Sequence, residues 1–159
     1  FLFSNSIAEN LSFGLPEVAN EQELNSIIKS VDLTQEVEAL PHQLQSELGE
    51  RGVNLSGGQK QRLTIARALM VNTPVIILDD SLSAVDTKTE RLIEREISNS
   101  QNTRSRIVIA HRLSSIQNVE KILILKDGQV EAFGSRQEVE ANSPSFRTIT
   151  SIQEKESHT

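Results

Sequence analysis

The chain has 159 residues and a formal net charge of −6, enough length for one ordinary domain with a hydrophobic core. It contains no cysteine, which excludes a disulfide framework and a cysteine zinc cluster. The longest apolar runs are four residues, whereas a helix that spans a bilayer needs roughly 20. No membrane span and no secretory signal are therefore predicted within this sequence.

The charge is unevenly distributed along the chain. Residues 1–50 hold nine acids and one base, a balance of −8, and residues 51–159 hold thirteen acids and fifteen bases, a balance of +2. Nucleic-acid phosphates are bound by clustered lysine and arginine. The acidic front half therefore argues against a nucleic-acid groove and is typical of a solvated face.

The first third of the chain predicts short helices. Residues 1–14 are a mixed segment with apolar anchors, and no regular element is assigned to them. Apolar residues at near-helical spacing, Leu24, Ile27, Ile28 and Val31, predict helices within residues 21–40. Gly49 to Asn54 is predicted to be a loop.

A longer helix is predicted to begin after Ser56. Ser56 and Gln59 have the spacing of a capping box, and Leu63, Ala66, Leu69 and Met70 form an apolar stripe. The wholly apolar run Val75–Leu78 follows, which predicts a short strand buried on both faces.

Strands and helices alternate in the rest of the chain, which predicts an α/β fold with a mainly parallel sheet. Asp127-Gly128 is a strong hairpin signal and predicts an antiparallel pair at the end of the sheet. A polar, frayed end is predicted from Gln153. The predicted elements are a helix over 87–99 capped by Asp86, a buried strand over 107–110, a short helix within 112–118, strands over 122–125 and 130–133, and a helix over 136–141.

The residues Leu55, Ser56, Gly57, Gly58 and Gln59 form a candidate anion site. A helix N-terminus exposes unpaired N–H groups and the positive end of the helix dipole. Two glycines let a phosphate approach the backbone, and the serine adds a hydroxyl donor. Locally, a plain helix cap with a tight loop explains the pattern equally well.

A glycine spacing nearby resembles the opening of a Walker A loop. Gly52 and Gly57 are separated by four residues, but Gly58-Gln59 follows where that loop has lysine and a hydroxyl residue. We therefore reject a P-loop at this position.

Acidic and imidazole side chains follow the predicted strands. Asp79 ends a strand, where carboxylates of α/β nucleotidases hold magnesium, and Asp80 could orient an attacking water. A solvated pair of strand-end acids is the alternative. Ser83 to Asp86 is locally a helix cap. His111 follows a strand at the edge where open sheets bind ligands, and a structural histidine is the alternative.

Taken in order, these motifs resemble the C-terminal two-thirds of an ATP-binding cassette (ABC) domain of the exporter type. Residues 47–52 resemble the segment through which exporters sense their membrane domains, and residues 1–10 resemble the stretch after the Q-loop. The motifs are Leu55–Gln59 for the signature, Val75–Asp79 for Walker B, Ser83–Asp86 for the D-loop and His111 for the switch histidine.

The resemblance implies a partial P-loop NTPase fold with a helical signature subdomain over 1–73, an ATPase core part over 74–152 and a polar tail over 153–159. It implies ATP and Mg²⁺ as cofactors, at the interface of a head-to-tail dimer of nucleotide-binding domains. Ser56, Gly57 and Gly58 would contact the partner's terminal phosphate.

The resemblance also implies roles for the residues after the signature. Asp79 would serve the metal, Asp80 and His111 would be catalytic, and Ser83 and Asp86 would contribute to nucleotide binding. The expected partners are a second nucleotide-binding domain and transmembrane domains, with no nucleic acid, at the cytoplasmic face of the cell membrane.

Two departures from the family pattern qualify these expectations. The Walker A loop, the stacking aromatic and the Q-loop glutamine would lie upstream of Phe1, so we expect a piece of a longer protein. That piece alone is expected to be inactive, with unpaired strand edges that make it unstable or self-associating.

The second departure is at Asp80. This aspartate stands where the family usually has glutamate, which suggests the impaired half of a heterodimer.

Two other functions are compatible with the cassette pattern. One is a soluble ABC-type ATPase of DNA repair or chromosome maintenance, although no sustained heptads indicate its coiled coils. The other is a non-catalytic fragment whose signature surface serves only as a docking face.

Overall fold

The computed structural model describes residues 2–49, 53–71, 73–79, 89, 92–93, 105–110 and 113–156. The chain divides into two compact units, Phe1–Ile107 and Val108–Thr159. This division reflects packing within the chain, and the subdomain boundary at residue 73 stays a prediction. The helix predicted over 87–99 lies mostly outside the described residues.

The described part of the first unit contains helices α1 to α4 and a 3₁₀ turn at Gln43–Gln45. Helix α4 packs against α1 and α2, and their buried apolar side chains supply the core. The helices predicted within residues 21–40 and after Ser56 are confirmed. The bounds are Ile7–Ser12 for α1, Glu21–Ser30 for α2, Thr34–Glu38 for α3 and Gly57–Met70 for α4.

The segment ahead of α1 is held by a buried asparagine. Asn10 is 1% exposed, and its Oδ1 accepts the Phe3 N–H at 2.8 Å. Its Nδ2 donates to the carbonyl oxygens of Phe3, Asn5 and Ser6 at 3.0, 3.2 and 3.0 Å. The Leu48 N–H also donates to the Asn5 carbonyl at 3.0 Å. The segment is therefore tied both to α1 and to the chain that leads toward α4.

Strands β1 (Val75–Asp79) and β2 (Ser105–Ile109) are hydrogen-bonded neighbours in a two-stranded sheet. The prediction that the first strand is buried on both faces is wrong for the described chain. Ile76 and Leu78 are buried, but Val75 is 44% and Ile77 61% exposed. That second face is therefore only partly covered. The strand predicted over 107–110 was also expected to be buried, and this is wrong too, because Ile107 is 51% and Ile109 47% exposed.

The described part of the second unit is built around a hairpin. Strands β3 (Ile122–Lys126) and β4 (Gln129–Gly134) pair antiparallel. Asp127 and Gly128 connect them with φ of 50° and 75°, the left-handed pair that a two-residue type I′ turn requires. The predicted hairpin is therefore confirmed.

Helices α5 (Arg136–Asn142) and α6 (Pro144–Glu156) follow the hairpin, and a 3₁₀ turn at Leu113–Ile116 precedes it. Ile122, Ala132, Val139 and Phe146 form the buried core of this unit. Helix α6 runs through Gln153, whose Oε1 accepts the Leu113 N–H at 2.8 Å. Residues 153–156 therefore continue a helix, where the sequence predicted a frayed end.

Asn10→Ala should lower the free energy of unfolding by about 2–3 kcal/mol, because it leaves several buried backbone groups without partners. Chemical denaturation measures this loss. Asn142→Ala is the matched control, since that exposed side chain donates a hydrogen bond to the Glu138 carbonyl at 2.8 Å within its own helix. Asn142→Ala should lower the free energy of unfolding by less than about 0.5 kcal/mol. Equal losses for the two variants would contradict the role of Asn10.

Candidate functional site at the start of helix α4

Helix α4 begins with the predicted capping box. Ser56 has extended backbone angles, φ −63° and ψ 164°, and its Oγ accepts the Gln59 N–H at 3.2 Å. The Ser56 N–H donates to the Gln59 Oε1 at 2.9 Å. These two bonds satisfy the backbone amides of Ser56 and Gln59. The amides of Gly57 and Gly58 have no acceptor within the helix by its geometry.

The charge of this turn differs from that of the other described capping boxes. At the starts of α1, α2 and α5 the third helical residue is Glu9, Glu23 and Glu138 respectively, whereas α4 has the neutral Gln59 and no acid in its first turn. Hydrogen bonds from the Ser135 backbone and side chain lower the pKa of Glu138. A carboxylate is therefore favoured in this position, and α4 alone among these four helices begins without one.

Gly57 leaves open space at the first position of α4. It is exposed, and a Cβ built on it meets no atom within 4 Å. Its φ does not lie in the left-handed region, which among the described glycines is occupied by Gly14, Gly49 and Gly128. The fold of this chain therefore gives no reason for a glycine here, and the open backbone suits a ligand or partner that approaches closely.

Asp79 shares a cavity with α4. The cavity has a volume of about 640 Å³, and Leu55, Lys60, Thr64 and Asp79 are among its lining residues. Asp79 is exposed at the end of β1, and the described residues contain no cluster of three metal-ligating side chains. Mg²⁺ at nucleotide sites commonly takes one or two carboxylates together with phosphate oxygens and water. A single carboxylate therefore fits that ion.

The structure brings together part of the predicted site. Ser56, Gly57, Gly58 and Gln59 form the start of one helix, Leu55 precedes it, and Leu55 and Asp79 line one cavity. Asp80, Ser83, Asp86 and His111 lie outside the described residues. Their roles stay predictions.

Sequence reasoning missed an arginine contact that joins α4 to the preceding helices. The Nη2 of Arg62 lies 2.7 Å from the Glu36 Oε1, and its Nη1 donates to the Asp32 carbonyl. The partners are 26 and 30 positions away in sequence. No local periodicity signals a pair at that separation.

A second arginine of α4 packs against aromatic rings. The Arg67 guanidinium lies 5.5 Å from the Phe3 ring centroid and 5.8 Å from that of Phe13, and the two centroids are 4.5 Å apart. Burial lowers the pKa of Arg67. Cation–π attraction helps to offset the desolvation of this charge and links α4 to the segment around α1.

Residues 1–83 match the model of the ABC transporter family. This match covers more than half of the 159 residues and includes Leu55–Gln59 and Asp79. The chain belongs to the ABC transporter family. Its α/β architecture is that of part of an ABC ATPase.

Individual relatives agree with this assignment. An ATP-dependent lipid A-core flippase of Pasteurella multocida is 41% identical over 152 residues, covering 96% of this chain and 26% of that protein. A multidrug resistance-like ATP-binding protein, MdlA, of Buchnera aphidicola is 43% identical over 140 residues, covering 87% of this chain and 24% of that protein. The solved structure of a bacterial Atm1-family ABC exporter with ATP bound matches with a TM-score of 0.85 and 34% identity. The match covers 96% of this chain and 26% of the exporter chain. The chain thus spans about a quarter of the length of these relatives.

Gly57→Ala should leave the melting temperature of the complete nucleotide-binding domain unchanged or slightly raised, because alanine is the better helix former and meets open space. Gly49→Ala is the contrasting variant. Gly49 has φ +128°, and a Cβ there would lie 3.0 Å from the Ser4 Oγ. Gly49→Ala should therefore lower the free energy of unfolding by roughly 1–3 kcal/mol. Thermal unfolding of both variants tests this. A large loss for Gly57→Ala would mean that the fold itself requires that glycine.

Proposed function

We propose that the chain is part of the nucleotide-binding domain of an ABC exporter, in which ATP binding and hydrolysis power transport across a membrane. The observation that carries the proposal is the open first turn of α4, with unsatisfied amides, no acid and a glycine that the fold does not need. All three of the relatives described above have names that mention ATP, and one of these is called an exporter. These names favour an exporter over a soluble DNA-repair ATPase.

In the proposed site, the start of α4 binds the terminal phosphate of a nucleotide held mainly by a second nucleotide-binding domain. The Gly57 and Gly58 amides and the Ser56 hydroxyl donate to phosphate oxygens. The Ser56 Oγ can accept the Gln59 amide while its own proton is donated outward. The capping box and the ligand therefore do not compete for the same hydrogen.

The residues after α4 serve this chain's own nucleotide. Asp79 would hold Mg²⁺, which would supply positive charge against the phosphates. In this proposal Asp80 would orient the attacking water, His111 would be the second catalytic residue, and Ser83 and Asp86 would contribute to nucleotide binding. ATP and Mg²⁺ are thus the proposed cofactors.

The proposed partners are a second nucleotide-binding domain and transmembrane domains, which place the chain at the cytoplasmic face of a membrane. Helices in the described part of the chain are all too short or too polar to cross a bilayer. One relative is named as a lipid A-core flippase and another as multidrug resistance-like. Because these names differ, we assign no transported substrate.

The charge at the α4 N-terminus provides a direct test in the full-length protein. Ser56→Asp and Ser56→Asn both retain a good helix cap and have nearly the same shape. They should therefore melt at similar temperatures. Ser56→Asp places a negative charge where the phosphate binds, and it should lower ATP turnover by about 100-fold. Ser56→Asn should lower it much less. Equal turnover by the two variants would overturn the phosphate-binding role of this turn.

We further propose that this chain forms the slower site of a heterodimer, because Asp80 is one methylene shorter than the usual glutamate. A carboxylate displaced by about a bond length misplaces the attacking water, and such errors can cost roughly 100-fold in rate. Asp80→Glu should raise turnover at this chain's own site. The rate is measured in the full-length assembly with the partner's site disabled, and an unchanged rate would contradict the proposal.

A further inference from the structure

Arg62 joins α4 to the corner between α2 and α3 through two different acceptors. It is the sixth residue of α4, about 7.5 Å along the axis from Gly57. Its guanidinium contacts the Glu36 carboxylate at 2.7 Å and the Asp32 carbonyl oxygen. The Arg62 side chain is only 15% exposed and that of Glu36 is 30% exposed. This is a partly desolvated contact rather than a solvent-exposed ion pair.

The backbone acceptor is itself held in a defined conformation. Asp32 has φ 55°, and it is the left-handed residue that follows the end of α2. Its N–H donates to the Lys29 carbonyl at 3.2 Å, and the next N–H, of Leu33, donates to the Ile28 carbonyl at 3.0 Å. This is the hydrogen-bond pattern of a Schellman motif. The Asp32 carbonyl is thus a structured acceptor for the arginine.

The directionality of this contact distinguishes it from the surrounding packing. Helices α2 and α4 also touch through buried apolar residues, and apolar attraction has no directional preference. A planar guanidinium that reaches two acceptors has a strict directional preference, because each of its hydrogen bonds requires a defined geometry. The arginine contact therefore helps to restrict the rotation of α4 about its axis, and with it the direction of its first amides.

We propose that Arg62, held by Glu36 and the Asp32 carbonyl, is a positioning residue that orients the α4 N-terminus for the phosphate and couples the α2–α3 corner to nucleotide binding. The proposal rests on the proposed function of the Ser56 turn. Arg62 contacts no phosphate itself. It acts through the orientation of α4.

The experiment measures ATP turnover against ATP concentration in the full-length protein, for Arg62→Gln, Arg62→Lys and Glu36→Gln. Arg62→Gln should raise the half-saturating ATP concentration at least about fivefold, with kcat changed less than twofold and the melting temperature nearly unchanged. Arg62→Lys keeps the charge but not the two-acceptor geometry, so it should show most of that increase. Glu36→Gln keeps an acceptor, so it should raise the half-saturating ATP concentration by a smaller factor.

Arg147→Gln is the matched control. The Arg147 Nη1 donates to the carbonyl oxygens of Glu140 and Ala141 at 2.7 and 2.9 Å, so it also joins a helix to backbone acceptors, in the other compact unit. This variant should leave the half-saturating concentration unchanged. If Arg147→Gln raised it as much as Arg62→Gln, a general loss of stability would explain both effects and the proposal would fail.

A double variant separates this proposal from the proposed function. If Arg62 acts through the Ser56 turn, adding Arg62→Gln to Ser56→Asp should have little further effect. Additive effects, or Arg62→Lys behaving as wild type, would overturn the positioning role. If Ser56→Asp itself left turnover intact, the proposed function would fail. If Ser56→Asp abolished turnover while Arg62→Gln changed nothing, only the present inference would fail.

Discussion

The structure around the candidate site depends on one constraint, which is that the first amides of a helix cannot be satisfied by that helix. Three of the four described capping boxes place glutamate beside these amides, at Glu9, Glu23 and Glu138. At α4 the same box uses Gln59, so the hydrogen bonds are kept while the negative charge is absent. The cap thus fulfils its structural purpose and leaves the dipole available to an external anion.

The features that could be predicted from sequence are those whose causes lie within a few residues. Ser56 and Gln59 form the expected box because both bonds close within one turn. Asp127-Gly128 gives the expected hairpin because the turn requires left-handed backbone at both positions. The candidate signature, Leu55–Gln59, could be located for the same reason, since it coincides with a local helix start.

The features that sequence reasoning missed depend on contacts between distant positions. The bonds of Arg62 to Glu36 and Asp32, and the aromatic contacts of Arg67, have no periodic signal that pairs the residues. The wrong expectation for β1 has a related cause. An apolar run predicts that a strand is suited to burial on both faces, but burial also requires a neighbouring element on each face. Val75 and Ile77 stay 44% and 61% exposed.

Comparison of the glycines separates what the fold needs from what a ligand would need. Gly128 lies in left-handed backbone that its turn requires, and Gly49 combines left-handed backbone with a close approach to Ser4. Gly57 has neither feature. A helix start of this kind would be more stable with alanine, so the glycine carries a small cost that the described contacts do not offset. An approaching phosphate would offset it, because the absent Cβ would let the oxygens reach the amides. This is why Gly57 supports a binding function more strongly than the glycines that shape the fold.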